Sequence, residues 1–457
     1  MKLGLAALAA LVALGAAAPG HASTPIPWCG ATTSAVDRVP DATLAYAVHV
    51  VYARPPGAPD RFAEFAPRIV GDTAAFDAWW RREDPTRTPR FDLFPAPPGC
   101  ASAFGSLDIS NVQLPRSAGG IGGAFREIRV QLASEVDFND AEKVYLVYYD
   151  GPTGQVGLDH VCGQGARPSG FDLPGLAVVY LDSCDASEGD ALRPVVALHE
   201  LIHVFGAVER AAPSSCQSGH VCDFPLDLMG AVLTGEELDR HVLDFGRNDY
   251  YAHAGTWNDV QDSTFLERLD SPDRTPPATP TALRVGDDPR PGVRVSWQPS
   301  ADDVGPVAYR VYQDGRFLRQ VATTSVLLPA PDLLARYSVR AADQVGRLSV
   351  LAEARFRPGL GMVDEQGRLV RDTVRPPSVG HVSVKRLPQA FALSWPAVRD
   401  GGGLRGYLVK IGARTVTVRK PAVTLARSRL AGPVSVAAID RAGNTGPALV
   451  VSRSRLR

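Results

Sequence analysis

The chain has 457 residues, of which 45% are hydrophobic and 21% charged, and its formal net charge is -1. This composition excludes a disordered or fibrous chain, and the balanced charge carries no global signature of a nucleic-acid binder. The balance hides an asymmetry, because residues 371–457 hold 16 Lys and Arg against 3 Asp and Glu, a net of +13, leaving -14 for the remainder.

Lys2 precedes an unbroken apolar run from Leu3 to Ala18, and the small-residue site Gly20-His21-Ala22 follows. A basic start, a short apolar core and an A-x-A-like site predict a secretory signal over residues 1–22. The run is shorter than the ~20 residues a bilayer requires, and no later stretch is long and apolar enough to span one. The expected mature chain is secreted, to the medium or the cell envelope, and is long enough for two to four domains. Six cysteines, Cys29, Cys100, Cys162, Cys184, Cys216 and Cys222, fit an oxidising compartment and predict disulfides. Sequence leaves their pairing open; nearest-neighbour pairing (29–100, 162–184, 216–222) is the working expectation.

In chain order, Leu44 to Ala53 alternates like a strand. Asp72 to Arg82 reads as a helix, with Ala74, Phe76, Trp79 and Trp80 at spacings of a buried face. Glu127–Ala133, Val144–Tyr149 and Ala177–Leu181 read as strands. A helix follows, capped near Ser187 or Asp190, with Pro194 in its first turns.

That helix carries His199-Glu200-Leu201-Ile202-His203. Histidines at i and i+4 share a helical face, so two imidazoles can reach one Zn²⁺. Glu200, one residue round from His199, can reach a water at the metal without being a ligand, the place a general base requires. Gly206 is predicted to end the helix through a positive φ and turn the chain back. Two residues compete as third ligand. His220 lies in a short loop between Cys216 and Cys222, which a disulfide would hold rigidly; Glu209 is the alternative. Ca²⁺ is left open as a second cofactor, on Asp137, Asn139 and Asp140 or on Asp244 and Asp249, neither set being a complete loop signature.

The stretch His199 to Gly206 resembles the metzincin metalloprotease signature H-E-x-x-H-x-x-G-x-x-H, with Glu209 where the last histidine would stand. Asp227-Leu228-Met229-Gly230 resembles the family's Met-turn, which implies that Met229 forms a soft apolar floor beneath the metal. The tyrosine that some metzincins place two residues later is Ala231 here; Tyr250 and Tyr251 are other phenols in reach of the sequence, without a spacing argument. The resemblance spans Val195 to Gly230 and extends to uncharacterised secreted bacterial metzincin-like proteins.

A Pro-rich stretch from Ser271 to Pro277 reads as a linker. After it the chain repeats: Trp297 recurs as Trp395 and Tyr309 as Tyr407, each 98 residues on, and Asp343 as Asp440 after 97. This is a tandem duplication of short alternating runs broken by Gly, Pro and Asp turns, an all-β pattern. The units resemble fibronectin type III domains, with Trp297 and Trp395 as core tryptophans, Tyr309 and Tyr407 as the following aromatics, and Tyr337 as the later tyrosine. Val434 or Val436 replaces that tyrosine in the second unit.

The expected architecture is therefore a signal peptide (1–22), an α+β zincin-type catalytic domain (23–270), a first fibronectin type III-like sandwich (271–358), and a linker with a second sandwich (359–457). The expected function is secreted zinc endopeptidase, with Glu200 as base, His199, His203 and His220 or Glu209 as ligands, and a peptide substrate extended along a sheet edge. The alternative is a catalytically inactive zinc-containing adhesion protein. In either case the basic C-terminal domain is expected to meet an anionic cell-surface polymer.

Overall fold

The computed structural model describes residues 23–452, apart from 31–33, 39–40, 101, 120–122, 153–160, 169–172, 184–190, 217–218, 233–234, 288–292, 329–334, 358–360, 365–368, 371–374, 401–402, 413, 428–431 and 442. The signal expected over 1–22, the helix caps expected at Ser187 or Asp190, and Cys184 with its pairing to Cys162 lie outside the described residues. No described helix is long and apolar enough to cross a membrane.

The front module is built on a five-stranded sheet. Its strands are β1 (Ala47–Arg54), β3 (Ile109–Gln113), β4 (Lys143–Tyr149), β5 (Gly163–Ala166) and β6 (Leu176–Tyr180), in the order β3-β1-β4-β6-β5. The first four are parallel, and only the edge strand β5 runs antiparallel, against β6; the module also holds a short antiparallel ladder of β2 (Arg87–Pro89) and β7 (Leu266–Arg268). Helices α1 (Phe62–Glu83) and α3 (Leu192–Phe205) cover one face, packing on Val48, Val50, Tyr52, Leu146, Tyr148, Ala177 and Val179. Helix α2 (Gly123–Glu135) covers the other, on Val51, Ala53, Tyr145, Val147 and Val178. The layering is thus α/β/α around a mostly parallel sheet, rather than helices segregated from strands.

Three sequence expectations are corrected here. β1 is buried on both faces, so its apolar run is nearly continuous rather than alternating, as parallel sheets require. The helix expected at 72–82 begins ten residues earlier, passing through Pro67 and Gly71, whose presence masks the periodicity of Phe62, Phe65, Ile69, Phe76 and Trp80. Glu127–Ala133 is helical, not a strand: Ile128 and Leu132 share a buried stripe with Ala124, while Val130, which suggested alternation, is only half-buried. Trp79 and Trp80 are buried core residues, as expected.

Gly71 lets the N-terminal segment run close over α1, since a Cβ there would stand 2.4 Å from Thr24 O. The Cys29–Cys100 disulfide then fastens this segment to the module.

Two β-sandwiches follow. In the first, β8 (Thr281–Asp287), β9 (Val293–Gln298) and β12 (Ser325–Leu328) face β10 (Ala308–Gln313), β11 (Arg316–Val321), β13 (Tyr337–Ala342) and β14 (Ala352–Arg357). The second repeats this with β17 (Ser383–Arg386), β18 (Ala390–Ser394) and β21 (Ala422–Ala426) against β19 (Leu404–Ile411), β20 (Arg414–Val418), β22 (Val434–Asp440) and β23 (Leu449–Val451). The duplicated landmarks do duplicate work. Trp297 meets Tyr309, and Trp395 meets Tyr407, at the same 5.3 Å ring separation. Each tyrosine oxygen accepts a loop N–H, from Ser300 at 2.8 Å and from Val398 at 3.0 Å. Tyr337 is buried in the first core, and Val434 and Val436 fill the second.

The boundaries differ from expectation. The hairpin β15 (Gly361–Asp364) and β16 (Leu369–Val370), expected in a linker, extends the sheet of the first sandwich through β14. Nor is the Pro-rich segment a loose tether, because the first sandwich is docked on the front module. Leu348 N–H donates to Leu44 O at 2.8 Å, and Tyr46 N–H to Gly346 O at 2.9 Å. Tyr46, Ala342 and Leu348 form a small apolar cluster with Phe265 against it. Arg90 donates to Val345 O at 2.9 Å and pairs with Glu267 at 2.6 Å, while Arg310 pairs with buried Glu142.

Candidate metal centre

Helix α3 is apolar nearly all round, which places it between the sheet and α1 with little exposed surface. Near its start, Arg193 and Asp72 form a wholly buried, two-bond ion pair at 2.8 and 3.1 Å, and Tyr148 Oη also donates to Asp72. This pair fixes the helix against α1 six residues ahead of His199. Gly206, with φ 125°, ends the helix as expected.

His199 and His203 lie one turn apart, with ring centroids 4.8 Å apart. His220 comes to both, at 5.1 and 5.0 Å. One ring nitrogen from each of the three lies within 4.8 Å of the others, and His199 Nε2 is 3.2 Å from His220 Nε2. A carbonyl can only accept, so His199 Nδ1–H donates to Leu228 O (2.6 Å) and His203 Nδ1–H to Ala207 O (3.0 Å). These bonds fix the tautomers and leave both Nε2 lone pairs pointing inward. Burial holds the His199 imidazole well below its ordinary pKa and lowers His203 to about 4, so both are neutral ligands near pH 7.

His220 reaches the centre through its loop. Cys216 and Cys222 are disulfide-bonded, and Cys216 N–H donates to His220 O at 2.8 Å. Gly219 adopts φ 86°, which favours glycine, and packs beside the His203 ring. Val221 then bonds the turn at Met229, its N–H donating to Met229 O at 2.9 Å, while Ala231 N–H returns to Val221 O. One segment, 227–231, therefore supports two histidines: Leu228 O holds His199, and the strand-like pairing with Val221 holds His220. Met229 is fully buried in the same core.

Asp227 organises that turn, accepting from Met229 N at 2.8 Å, Phe245 N at 2.7 Å and Tyr250 Oη at 2.8 Å. Tyr250 is thus a buried structural phenol. Tyr251 is another, donating to Asp84 at 2.7 Å. Neither is placed to meet a substrate. Glu209 lies outside the histidine cluster; its carboxylate pairs with Arg167 at 3.0 Å.

Neither set considered for Ca²⁺ is among the clustered groups of potential ligands in the described residues. Asp244 accepts N–H groups from Asp249, Tyr250 and Tyr251 on one oxygen, and Asp249 caps Ser214, so these carboxylates close turns. Asn139 bonds Asp137 and Ala133 O, and Asp140 accepts from Glu142 N, again turn contacts.

Glu200 is buried beside the histidines, facing β5. A Cβ on Gly163 would stand 2.6 Å from Glu200 Cγ, and one on Gly165 would stand 2.4 Å from Glu200 O and 2.9 Å from His203 Cβ. The two glycines let the edge strand lie directly on the motif helix. Sequence reading missed them; their signal was glycine at alternate positions in Gly163-Gln164-Gly165-Ala166. Burial, with Cys162 adding to it, pushes the Glu200 carboxyl up to about 8. A cation on the adjacent imidazoles opposes that shift.

The donor set suits Zn²⁺. Two nitrogens each 2.0–2.1 Å from a tetrahedral zinc stand about 3.3 Å apart, close to the His199–His220 separation. Three imidazoles with a carboxylate beside them, not among them, leave a fourth position open, as catalytic zinc sites do.

No protein-family model matches the chain. Two curated relatives share sequence with it over part of their length: Exoglucanase A of Cellulomonas fimi, 30% identical over 39% of this chain, and Chitinase A1 of Niallia circulans, 27% identical over 38%. The matches take in only 19% and 25% of those two proteins. Among solved structures, a two-domain fibronectin type III segment of chicken tenascin matches 38% of this chain and 97% of its own length, at 15% identity and a TM-score of 0.24. The chain is multidomain, and its β-sandwiches are fibronectin type III-like.

Proposed function

We propose that the front module is a secreted zinc-dependent endopeptidase. The observation that carries this reading is the convergence of His199, His203 and His220 around one point, with Glu200 beside them and an open sheet edge alongside. When bound there, Zn²⁺ supplies Lewis acidity toward a peptide carbonyl and acidifies water. His199, His203 and His220 would hold the ion; the Nδ1 bonds of His199 and His203 and the disulfide loop that carries His220 keep the rings oriented. Glu200 takes the proton from the attacking water on a carboxylate oxygen and returns it to the departing amine nitrogen. Met229 supplies an apolar floor. The outer edge of β5, unpaired among the described residues, can accept an extended peptide as an added strand, a mode in which main-chain hydrogen bonds give affinity. Two disulfides support secretion.

The test compares zinc content and casein hydrolysis in the intact protein and in Glu200→Gln. The variant keeps the side chain's size and lacks the proton acceptor. Zinc is retained and turnover falls at least about a hundredfold. Equal turnover in the variant defeats the mechanism; bound zinc without hydrolysis in either protein leaves a metal-bearing adhesion protein.

A further inference from the structure

A second cluster lies far from α3 in the sequence, at the joint between the front module and the first sandwich. Asp273 sits on the segment leaving the front module, Asp302 follows β9, and Asp343 follows β13. One carboxylate oxygen from each lies within 4.8 Å of the others. Each residue uses one oxygen on its own loop: Asp273 accepts from Thr275 N, Asp302 from Val304 N at 3.4 Å, and Asp343 from Val345 N at 2.9 Å and Arg347 N at 2.8 Å. The other oxygen of each, Asp273 Oδ1, Asp302 Oδ1 and Asp343 Oδ2, is buried without a hydrogen-bond partner. Asp273 as a whole is only 3% exposed.

Three orphaned carboxylate oxygens in one place cannot be a resting arrangement by themselves, because buried polar atoms without partners and like charges in contact both cost free energy. Burial and its neighbours Asp273 and Asp302 push Asp343 up to about 6. The nearby Arg347 guanidinium is engaged by Glu267. An adjoining cavity of about 180 Å³, lined by Asp270, Ser271 and Gln344 among others, has room for water.

We propose that this joint is a binding site for a hard divalent cation, Ca²⁺, with Asp273, Asp302 and Asp343 as its protein ligands. An all-oxygen, carboxylate-rich set suits Ca²⁺, which takes 6–8 oxygens and tolerates irregular geometry; water completes the shell. It does not suit Zn²⁺, which prefers the nitrogen set on α3. The bound ion joins the exit of the front module to two loops of the sandwich, and so fixes the docking already made by Arg90 and Arg310.

The duplication supplies an internal contrast. Asp440, the counterpart of Asp343, accepts from Asn444 N at 2.7 Å on one oxygen and from Asn444 Nδ2 at 2.9 Å on the other. The corresponding position in the first unit is Arg347, which gives Asp343 only its backbone N–H. The second unit satisfies its aspartate internally; the first leaves an oxygen for an ion.

The test uses the full chain, stripped of metals and resupplied with one equivalent of Zn²⁺ so that calcium is not read at the histidines. Calorimetric titration with Ca²⁺ is expected to give one site, with Kd on the order of 10⁻⁴–10⁻³ M as in extracellular modules. The melting temperature rises with Ca²⁺. Asp302→Asn and Asp343→Asn each weaken binding at least tenfold and remove the thermal shift, whereas Asp400→Asn, at the position 98 residues after Asp302 in the second unit, changes neither. No Ca²⁺-dependent heat or thermal shift in the unaltered protein overturns the site, a result independent of how any variant folds. Unchanged affinity in Asp302→Asn overturns its location.

Discussion

His199 Nε2 and His220 Nε2 stand 3.2 Å apart although 21 residues separate them, and each is held by the same turn of chain. Leu228 O takes the Nδ1–H of His199, and Met229 O takes the N–H of Val221, next to His220. The turn at Met229 is thus a jig that sets two of the three histidines at once, and its own shape depends on buried Asp227.

The third-ligand choice follows from that geometry. His220→Ala is expected to lower zinc affinity by at least tenfold, the scale on which even supporting residues act. Glu209→Ala, which loses only a half-exposed pairing with Arg167, leaves zinc in place. Zinc stoichiometry after dialysis decides it; loss of metal in Glu209→Ala with retention in His220→Ala would reverse the assignment. Reduction of Cys216–Cys222 should mimic His220→Ala in the same assay.

Asp84 gives a pH signature under α1. Burial opposes its ionisation, but hydrogen bonds from Thr86, Tyr251 and Gln261 prevail and hold its carboxyl down to about 2. A folded-state pKa below the unfolded value contributes stability that is present above about 4 and is lost as pH falls toward 2. Tyr251→Phe removes one of those bonds. It should lower stability by roughly 1 kcal/mol at pH 7, by less near pH 2, and leave hydrolysis unchanged. Urea unfolding at the two pH values reads the difference; a fall in turnover would instead give Tyr251 a part in the chemistry.

Lys385, Arg386, Arg405, Lys410, Arg414, Arg419 and Lys420 are exposed on the second sandwich, within the segment whose net charge is +13. The full chain is expected to adhere to an anionic polymer or envelope fragment at low salt, and a chain ending at Val370 is not. Adhesion should disappear as the screening length shrinks, from about 10 Å at 0.1 M to 3 Å at 1 M. Retention that salt leaves unchanged, or equal retention of the shortened chain, would show that the basic surface is only solvated.

What the sequence by itself determined was whatever depends on short spacing or on repetition. His199, Glu200 and His203 are fixed relative to one another by helical geometry, so any fold that keeps the helix keeps them together. The duplicated Trp–Tyr pairs were legible because a tandem copy repeats its own pattern, whereas the pairing of Cys216 with Cys222, left open by the sequence, was fixed by the fold. The tertiary structure alone brought His220, and not Glu209, to His199 and His203, since that depends on where the chain returns after Gly206. It also decided that β1 is buried on two faces and α2 is a helix, because burial is set by neighbours from distant segments and not by local alternation. The same holds for Asp273, Asp302 and Asp343: each reads as an ordinary turn aspartate, and only the docking of the first sandwich on the front module, through contacts such as Arg310 with Glu142, brings their unpartnered oxygens to one point.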